Sequence, residues 1–441
     1  AAPGDRDPEP GGVGMTAAAP EKVALFSSMR IRNYRLFWTG GFVSNIGTWM
    51  ARVAQDWLVL TILTDNSSLA LGLVTGLQFL PTALLAPWAG TVADRYAKRH
   101  VLMYTQLALA VTGLVLTLLV WGGWVQLWHV YLLATLQGVA AAFDTPARQA
   151  FAPEMVPARL IPNAVGLNTT SFHAARVVGP AVAGLTIAWW GVAPALLLNA
   201  LSFAAVLVAL LVMNPKELTP APRAAKRGGV RAGVRYVRDR PDILIVLFVV
   251  FMVGTFGMNF QLFNSLMATA AFGAGPEEFG MLGSVMAVGS LTAGLLAARR
   301  PRPRLLLILG ALAGFTAMLF ALSLTPTLTW YAVLLVPTGL FALTVMTAAN
   351  TSVQLAVEPV MRGRVMALYM AIFLGGTPLG APLLGWAGDV WGPRATLVIG
   401  AVACAVTVVV VGLHLLRRNG WEWPWQRSDD DAILDVVDGP R

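Results

Sequence analysis

Gly90-Thr-Val-Ala-Asp94-Arg95-Tyr-Ala-Lys98-Arg99 crowds one acid and three bases between two apolar stretches, Leu69–Ala89 and Val101–Trp121. Each flanking stretch is long enough for a ~30 Å hydrocarbon core at about 1.5 Å per residue, so the charged turn reads as a loop at a membrane surface. Outward from this turn the alternation continues. Apolar spans run roughly Leu36–Leu63, Leu69–Ala89, Val101–Trp121, Val125–Phe143, Ala164–Trp190, Ala193–Met213, Ile243–Ala270, Phe279–Ala298, Leu305–Leu324, Leu328–Val353, Met366–Ala387 and Ala395–Leu416. Twelve spans predict an all-α polytopic membrane protein.

All but Arg52, Arg176 and Arg394 of the 31 Lys and Arg residues fall in the tails or in alternate connections. Lys22, Arg30, Arg32 and Arg35 precede the first span. Arg95, Lys98 and Arg99, then Arg148 and Arg159, then the stretch 214–240, then Arg299, Arg300, Arg302 and Arg304, then Arg362 and Arg364 continue the series. The other connections carry Asp65, Glu277, Glu278 and Asp389, with Arg394 as their base. The positive-inside rule therefore predicts cytoplasmic termini, and Trp121, Trp124, Trp128, Trp190, Trp330 and Trp391 mark the outer interface. A hydrophobic share of 57% with 12% charged residues suits such a protein, and the net charge of +9 reads as loop orientation. A nucleic-acid footprint would instead gather its bases on one soluble face among stacking aromatics, so no nucleic-acid partner is expected. The single cysteine, Cys404, lies in the last span, and His100, His129, His173 and His414 are scattered, so neither a disulfide framework nor a metal site is expected. Residues 1–30, rich in Ala, Pro and Gly and without a signal-peptide core, read as a mobile tail. Lys occurs only at 22, 98, 216 and 226, which with the excess of Ala and Gly points to a GC-rich bacterial source.

An internal repeat appears at an offset of 201: Gly179 matches Gly380, Gly184 matches Gly385, and Trp190-Gly191 matches Trp391-Gly392. Leu167 with Leu368, Phe172 with Phe373 and Ala200 with Ala401 extend it. Two pseudo-symmetric six-helix bundles are implied, at 31–213 and 242–416. The basic, Pro- and Gly-containing stretch 214–241 reads as the cytoplasmic linker and 417–441 as a C-terminal cytoplasmic tail.

The turn at Gly90–Arg99 resembles the signature loop of the major facilitator superfamily, G-x-x-x-D-R-x-G-[KR]-[KR], with Ala97 where the family usually has Gly. The resemblance covers about Arg32–Arg418 and implies that fold. In it Gly90, Asp94, Arg95, Lys98 and Arg99 form a cytoplasmic gate, whose contacts are made in one conformation and broken in another; the plainer reading is loop orientation alone. Only Gly294, Arg299 and Arg300 persist in the half-repeat. Arg176-Val-Val-Gly179-Pro180-Ala-Val-Ala-Gly184 is similar to the Gly-Pro motif of drug:proton antiporters, and otherwise reads as a packing kink. Phe143-Asp144-Thr-Pro146-Ala-Arg148-Gln149-Ala150, Pro162-Asn163-Ala164 and Arg362-Gly363-Arg364-Val365 look like the enterobactin-exporter branch, whose relatives include macrolide and other drug efflux pumps. The span-four Arg of the better-known antiporters would fall at Ala134 and is not carried over.

Charges inside spans are few, and each costs about 2.5–3.5 kcal/mol on translocon scales. Arg52 and Asp56 are an i, i+4 pair ~24 Å and ~30 Å along the first span. Asp56 reads either as a carboxylate that alternates in protonation or as the standing partner of Arg52. Arg176, ~18 Å into its span with His173 one turn earlier, reads as a contact for an anionic group on substrate or as a donor to carbonyls and to an acid across the bundle. Asp144 and Arg148, at the inner end of span four where Pro146 should break the helix, read as gate residues, with Asp144 also a proton-coupling candidate. The second half offers Asn259, Gln261, Asn264, Asn350 and Gln354, either facing Arg176 across a polar cavity or satisfied between helices. An asymmetric cavity of this kind suits a bulky amphiphile.

The expectation is therefore a monomeric, multi-pass transporter of the bacterial inner membrane, not an enzyme. Its expected partners are the lipid bilayer and a small amphiphilic substrate, a drug or siderophore, which it exports by alternating access driven by the proton gradient. No G-x-x-x-x-G-K-[ST] loop occurs, so neither ATP nor a cofactor is expected. Uniport or import of a lipid or metabolite, and a receptor or scaffold without transport, are the alternatives.

Overall fold

The computed structural model describes residues 24, 26–219, 230–298 and 305–418, and every regular element among them is helical. The helices are α1 Arg32–Trp57, α2 Ser68–Arg95, α3 Lys98–Trp121, α4 Leu127–Phe151, α5 Ile161–Trp190, α6 Val192–Val212, α7 Val230–Arg238 and α8 Pro241–Met252. They continue with α9 Phe260–Leu266, α10 Pro276–Ala298, α11 Leu305–Ser323, α12 Leu328–Ala356, α13 Pro359–Trp391 and α14 Pro393–Arg418. Runs so apolar satisfy their backbone internally by coiling. Nine stretches among the described residues are long and apolar enough to cross a membrane, Pro241–Ala271 counting as one.

The helices pack in two groups. In the first, α1 lies on α5 and α6, α3 on α4 and α6, and α2 on α4. In the second, α10 lies on α12, α11 on α12 and α14, and α13 on α14. The groups join where α2 meets α13 and α5 meets α10. One end of the molecule gathers the N-termini of α1, α3 and α5 with the C-terminus of α6: Asn33 bonds Asn214, Tyr34 Oη donates to the Ala164 carbonyl, and Arg99 Nε donates to the Leu210 carbonyl. Arg30, Arg32, Arg35, Lys98 and Arg99 lie here, so we call it the basic end. Trp121, Trp124, Trp128, Trp190, Trp330 and Trp391 are all exposed at helix termini of the opposite end.

The repeat has a physical counterpart. Gly191 and Gly392 end α5 and α13 with φ of +86° and +88°, a left-handed conformation that lets α6 and α14 start at once. A Cβ at Gly179 would strike Trp49 and the Ile46 carbonyl of α1, and one at Gly380 would strike Thr255 in the corresponding contact of the second group.

Three expectations need correction, and the linker gains detail. Pro146 does not break α4, which runs on to Phe151, because a proline removes one N–H while the turns on either side stay bonded. The seventh span is not one helix: π turns at Val253–Gly257 and Met267–Ala271 and a break at Met258-Asn259 divide it. The tail is ordered before residue 30, since Ser27–Arg30 forms a 3₁₀ turn and Ser28 donates to Asn163 Oδ1 at 2.7 Å. The linker contains a helix, α7, packed on α13 through Gly233 and tied down by Arg240, which donates to Asp242 at 2.7 Å and to the Ala356 carbonyl at 3.2 Å. Residues 1–23, 220–229 and 419–441, with Arg299, Arg300, Arg302 and Arg304, lie outside the described residues.

Candidate translocation site

The seam between the groups is built by small residues. A Cβ at Gly280 on α10 would meet the Pro180 carbonyl of α5 and lie 2.7 Å from the Gly184 Cα, and one at Gly283 would meet the Pro180 ring at 3.2 Å. On the symmetry-related side Gly72 and Gly76 of α2 seat against Ala381 and Pro382 of α13, while Gly385 and Gly388 seat against Ser68. Without side chains the backbones approach closely, as small-residue interfaces in membranes do. Pro180 accordingly sits inside an unbroken α5 and packs against a partner. All of these contacts lie in the half of the molecule away from the basic end. Towards that end, a Cβ at Gly90, Gly166, Gly363 or Gly375 would meet nothing within 4 Å.

Two carboxylates pin the seam. Asp56, buried near the C-terminus of α1, accepts from Gln261 Nε2 at 2.8 Å and from Ser265 Oγ at 3.0 Å, both on α9 of the other group. Trp57 packs on Phe279 beside it. Arg52 and Asp56 make no ion-pair contact among the described residues, since both carboxylate oxygens are engaged by α9, and the two charges attract each other from one helical turn apart. Asp389, at the end of α13, accepts from Ser67 Oγ at 3.1 Å, from the Ser68 N–H and from the Leu69 N–H at 3.2 Å, so it caps α2 across the seam. Ser265 and Asp389 were not singled out from sequence. Ser67-Ser68 ahead of an apolar run is a readable helix start, but nothing in the sequence brings Asp389 to it.

Just below the seam, on its basic side, sits a cation–aromatic cluster. The Arg52 guanidinium lies 4.8 Å from the centroid of Trp49 and 5.6 Å from that of Phe79, and Arg176 lies 5.5 Å from the same Trp49 ring. Phe172 meets Trp49 edge-on at 6.0 Å and His173 at 5.8 Å. Arg52 Nε is buried without a hydrogen-bond partner, and neither guanidinium makes a hydrogen bond or ion pair to a described residue. The alternative for Arg176, satisfaction by carbonyls or a distant acid, is therefore not realised in this conformation.

The remaining predicted residues divide clearly. Asp144, buried in α4, accepts from Thr105 Oγ1 at 2.8 Å, Gln106 Nε2 at 2.7 Å and Arg148 Nε at 3.0 Å, so its contacts hold α3 to α4 within one group. Lys98 pairs with Glu154 at 2.7 Å and Arg99 caps the end of α6, while Arg95 is exposed. The backbone of Asp94 closes α2, and its side chain lies outside the described set. In the second group only Gln261 of the predicted amides reaches across. Asn264 accepts from Tyr331 Oη at 3.0 Å, Asn259 donates to the Thr255 carbonyl at 2.7 Å, and Gln354 donates to Asn350 at 2.6 Å. In this conformation those four serve helix-to-helix or local bonds.

The chain matches the family model described as "Transmembrane secretion effector" over residues 23–427. It is 24% identical to the staphyloferrin A transporter of Staphylococcus aureus (strain NCTC 8325 / PS 47) over 383 residues, covering 85% of this chain and 94% of that protein. It is 26% identical to an enterobactin exporter of Shigella boydii serotype 4 (strain Sb227) over 370 residues, covering 82% and 83%. A macrolide efflux protein A of Streptococcus pyogenes is 25% identical over 62% of this chain and 67% of its own length. Among solved structures, a bacterial homolog to the human lysosomal transporter Spinster, inward-facing and unoccupied, superposes with a TM-score of 0.68 at 17% identity, covering 88% and 96%. A chain with this helical seam, matched from end to end of its described helices, belongs to the transmembrane secretion effector family of the major facilitator superfamily: it is a multi-pass transporter of the bacterial membrane, not an enzyme.

Proposed function

We propose that the protein is a secondary exporter of an amphiphilic small molecule, a drug or siderophore, working by alternating access of two six-helix bundles formed from twelve crossings. One observation carries this: among the described residues, the side-chain bonds and close glycine contacts between the two groups lie at the end opposite the basic residues, while Gly90, Gly166 and Gly363 of the basic end meet no described neighbour across the gap. With the basic end cytoplasmic, this is an inward-open state whose outer gate is shut. Outward opening then requires the Asp56 and Asp389 bonds to break together, a rocking motion in which packed interfaces switch between discrete arrangements.

Proton antiport is the coupling this arrangement supports. Asp56 is the stronger candidate, because its environment changes as the seam opens, whereas Asp144 keeps its partners inside one bundle. Gly90, Asp94, Arg95, Lys98 and Arg99 are assigned to the inner gate, Asp144 and Arg148 to its support, and the chain is taken to act as a monomer with both termini cytoplasmic. Relatives that include an enterobactin exporter and a macrolide efflux protein favour the outward direction.

The test is accumulation of dyes, antibiotics and siderophores in an efflux-deficient host expressing the chain, with and without a protonophore. Lower accumulation that the protonophore abolishes is the expected result; accumulation unaffected across the panel would refute the export reading.

A further inference from the structure

Resting on the export reading, we infer that the cargo is an aromatic organic anion and that Arg52 and Arg176, both set over the Trp49 indole, are its recognition groups. Both guanidinium carbons lie over one ring, at 4.8 Å and 5.5 Å from its centroid, so the two cations stand within ~10 Å of each other at a half-buried position inside the membrane-spanning helices. Holding like charges there is unfavourable, and arginine in a membrane interior ordinarily pairs with an acid or with carbonyls. Here neither does so among the described residues, and Arg52 Nε is buried with its donor unused. The acid one turn from Arg52, Asp56, has both oxygens engaged by Gln261 and Ser265. Two cations and one nearby carboxylate leave a net positive charge that a cargo carboxylate would neutralise, and the arginine fork matches a carboxylate in two bonds.

The position fits cargo. Arg176 immediately precedes Val177, whose carbonyl accepts from Ser284 Oγ across the seam, and Phe79 lies one turn beyond Gly76, which seats on Pro382. The pair therefore stands where the closed seam ends and the halves begin to part. Trp49, Phe79 and Phe172 supply ring faces and edges on which a flat cargo ring can stack. Release is built into the same residues. When the seam opens, Asp56 loses Gln261 and Ser265 and is left four residues from Arg52 on the same helix, placed to pair with it and displace the cargo carboxylate.

The test uses two xanthene dyes with a common ring system and opposite charge, fluorescein and rhodamine 6G, in equilibrium binding to the purified full chain. Wild type should bind fluorescein more tightly than rhodamine 6G. Arg52→Gln and Arg176→Gln should each weaken fluorescein binding about tenfold or more and leave rhodamine 6G within about twofold. Arg176→Lys, which keeps the charge and loses the fork, should fall between. Equal or tighter binding of rhodamine 6G to wild type overturns the inference without any variant, as does equal loss of both dyes in the arginine variants. If phosphatidylglycerol in nanodiscs competes with fluorescein while free benzoate does not, the pair belongs to a lipid headgroup and the inference also fails. Export of rhodamine 6G without fluorescein binding would sink this inference alone. Fluorescein binding without export of any compound would sink the export reading alone.

Discussion

Replacing Asp56 by Ala should shift the protein from the seam-closed toward the seam-open state. The carboxylate makes two bonds across the seam, from Gln261 Nε2 at 2.8 Å and Ser265 Oγ at 3.0 Å, and both belong to the closed state only. At about 1–2 kcal/mol for each bond, the closed state loses about 2–4 kcal/mol, a change of ~30- to ~800-fold in the population ratio. Asp56→Asn separates bonding from charge. Its amide nearly matches the carboxylate in shape, and Gln261 can turn its carbonyl toward the new NH₂, so a shift below ~1 kcal/mol is expected. Spin labels at Trp124 and Leu324, both exposed at the opposite end on different groups, report the separation by pulsed dipolar spectroscopy once the buried Cys404 is replaced by Ala. Wild type should give a short distance, Asp56→Ala a long or bimodal one, and Ser265→Ala an intermediate one. A distance distribution in Asp56→Ala identical to wild type would refute the reasoning. An Asn variant as open as the Ala variant would show that charge, not hydrogen bonding, holds the seam.

Asp389→Ala removes the α2 cap and should open the same end by about 1 kcal/mol, read as several-fold faster alkylation of a cysteine placed at Asn66. Unchanged labelling would mean that glycine packing alone keeps the seam shut. Gly280→Leu puts a side chain into the Pro180 carbonyl and the Gly184 backbone, so the protein should insert normally but lose transport, with the Trp124–Leu324 separation lengthened; wild-type transport would contradict the seam. Asp144→Ala strands Thr105, Gln106 and Arg148 at a buried site and should lower stability by about 2–4 kcal/mol, seen as a lower melting temperature in detergent. Full stability would show those bonds to be replaceable by water.

The sequence carried the crossings because burying an apolar run in lipid depends on the run itself. Length and hydropathy located the helices, and the distribution of Lys and Arg separated two faces. The offset repeat also had local causes, since Trp190-Gly191 and Trp391-Gly392 end their helices through backbone conformation alone. Composition failed where a neighbour decides. Whether Pro146 breaks α4, or Val253–Ala271 loosens into π turns, depends on what packs alongside.

For the candidate site, sequence could place Arg52, Asp56 and Arg176 at depth, since an ionisable residue in an apolar run is conspicuous at any distance from its partners. Which partner each takes was another matter. The i, i+4 spacing offered Asp56 to Arg52, but α9 presents two donors to the carboxylate, and that choice belongs to the meeting of residues some two hundred positions apart. The same meeting leaves Arg52 and Arg176 over Trp49 without an ion pair or hydrogen bond among the described residues, and brings Asp389 onto the start of α2. Sequence alone determined that this chain crosses a membrane many times and holds a few charges at depth. Tertiary structure decided where the two groups of helices touch and which charges bond across that contact, because both depend on how the groups lean on one another.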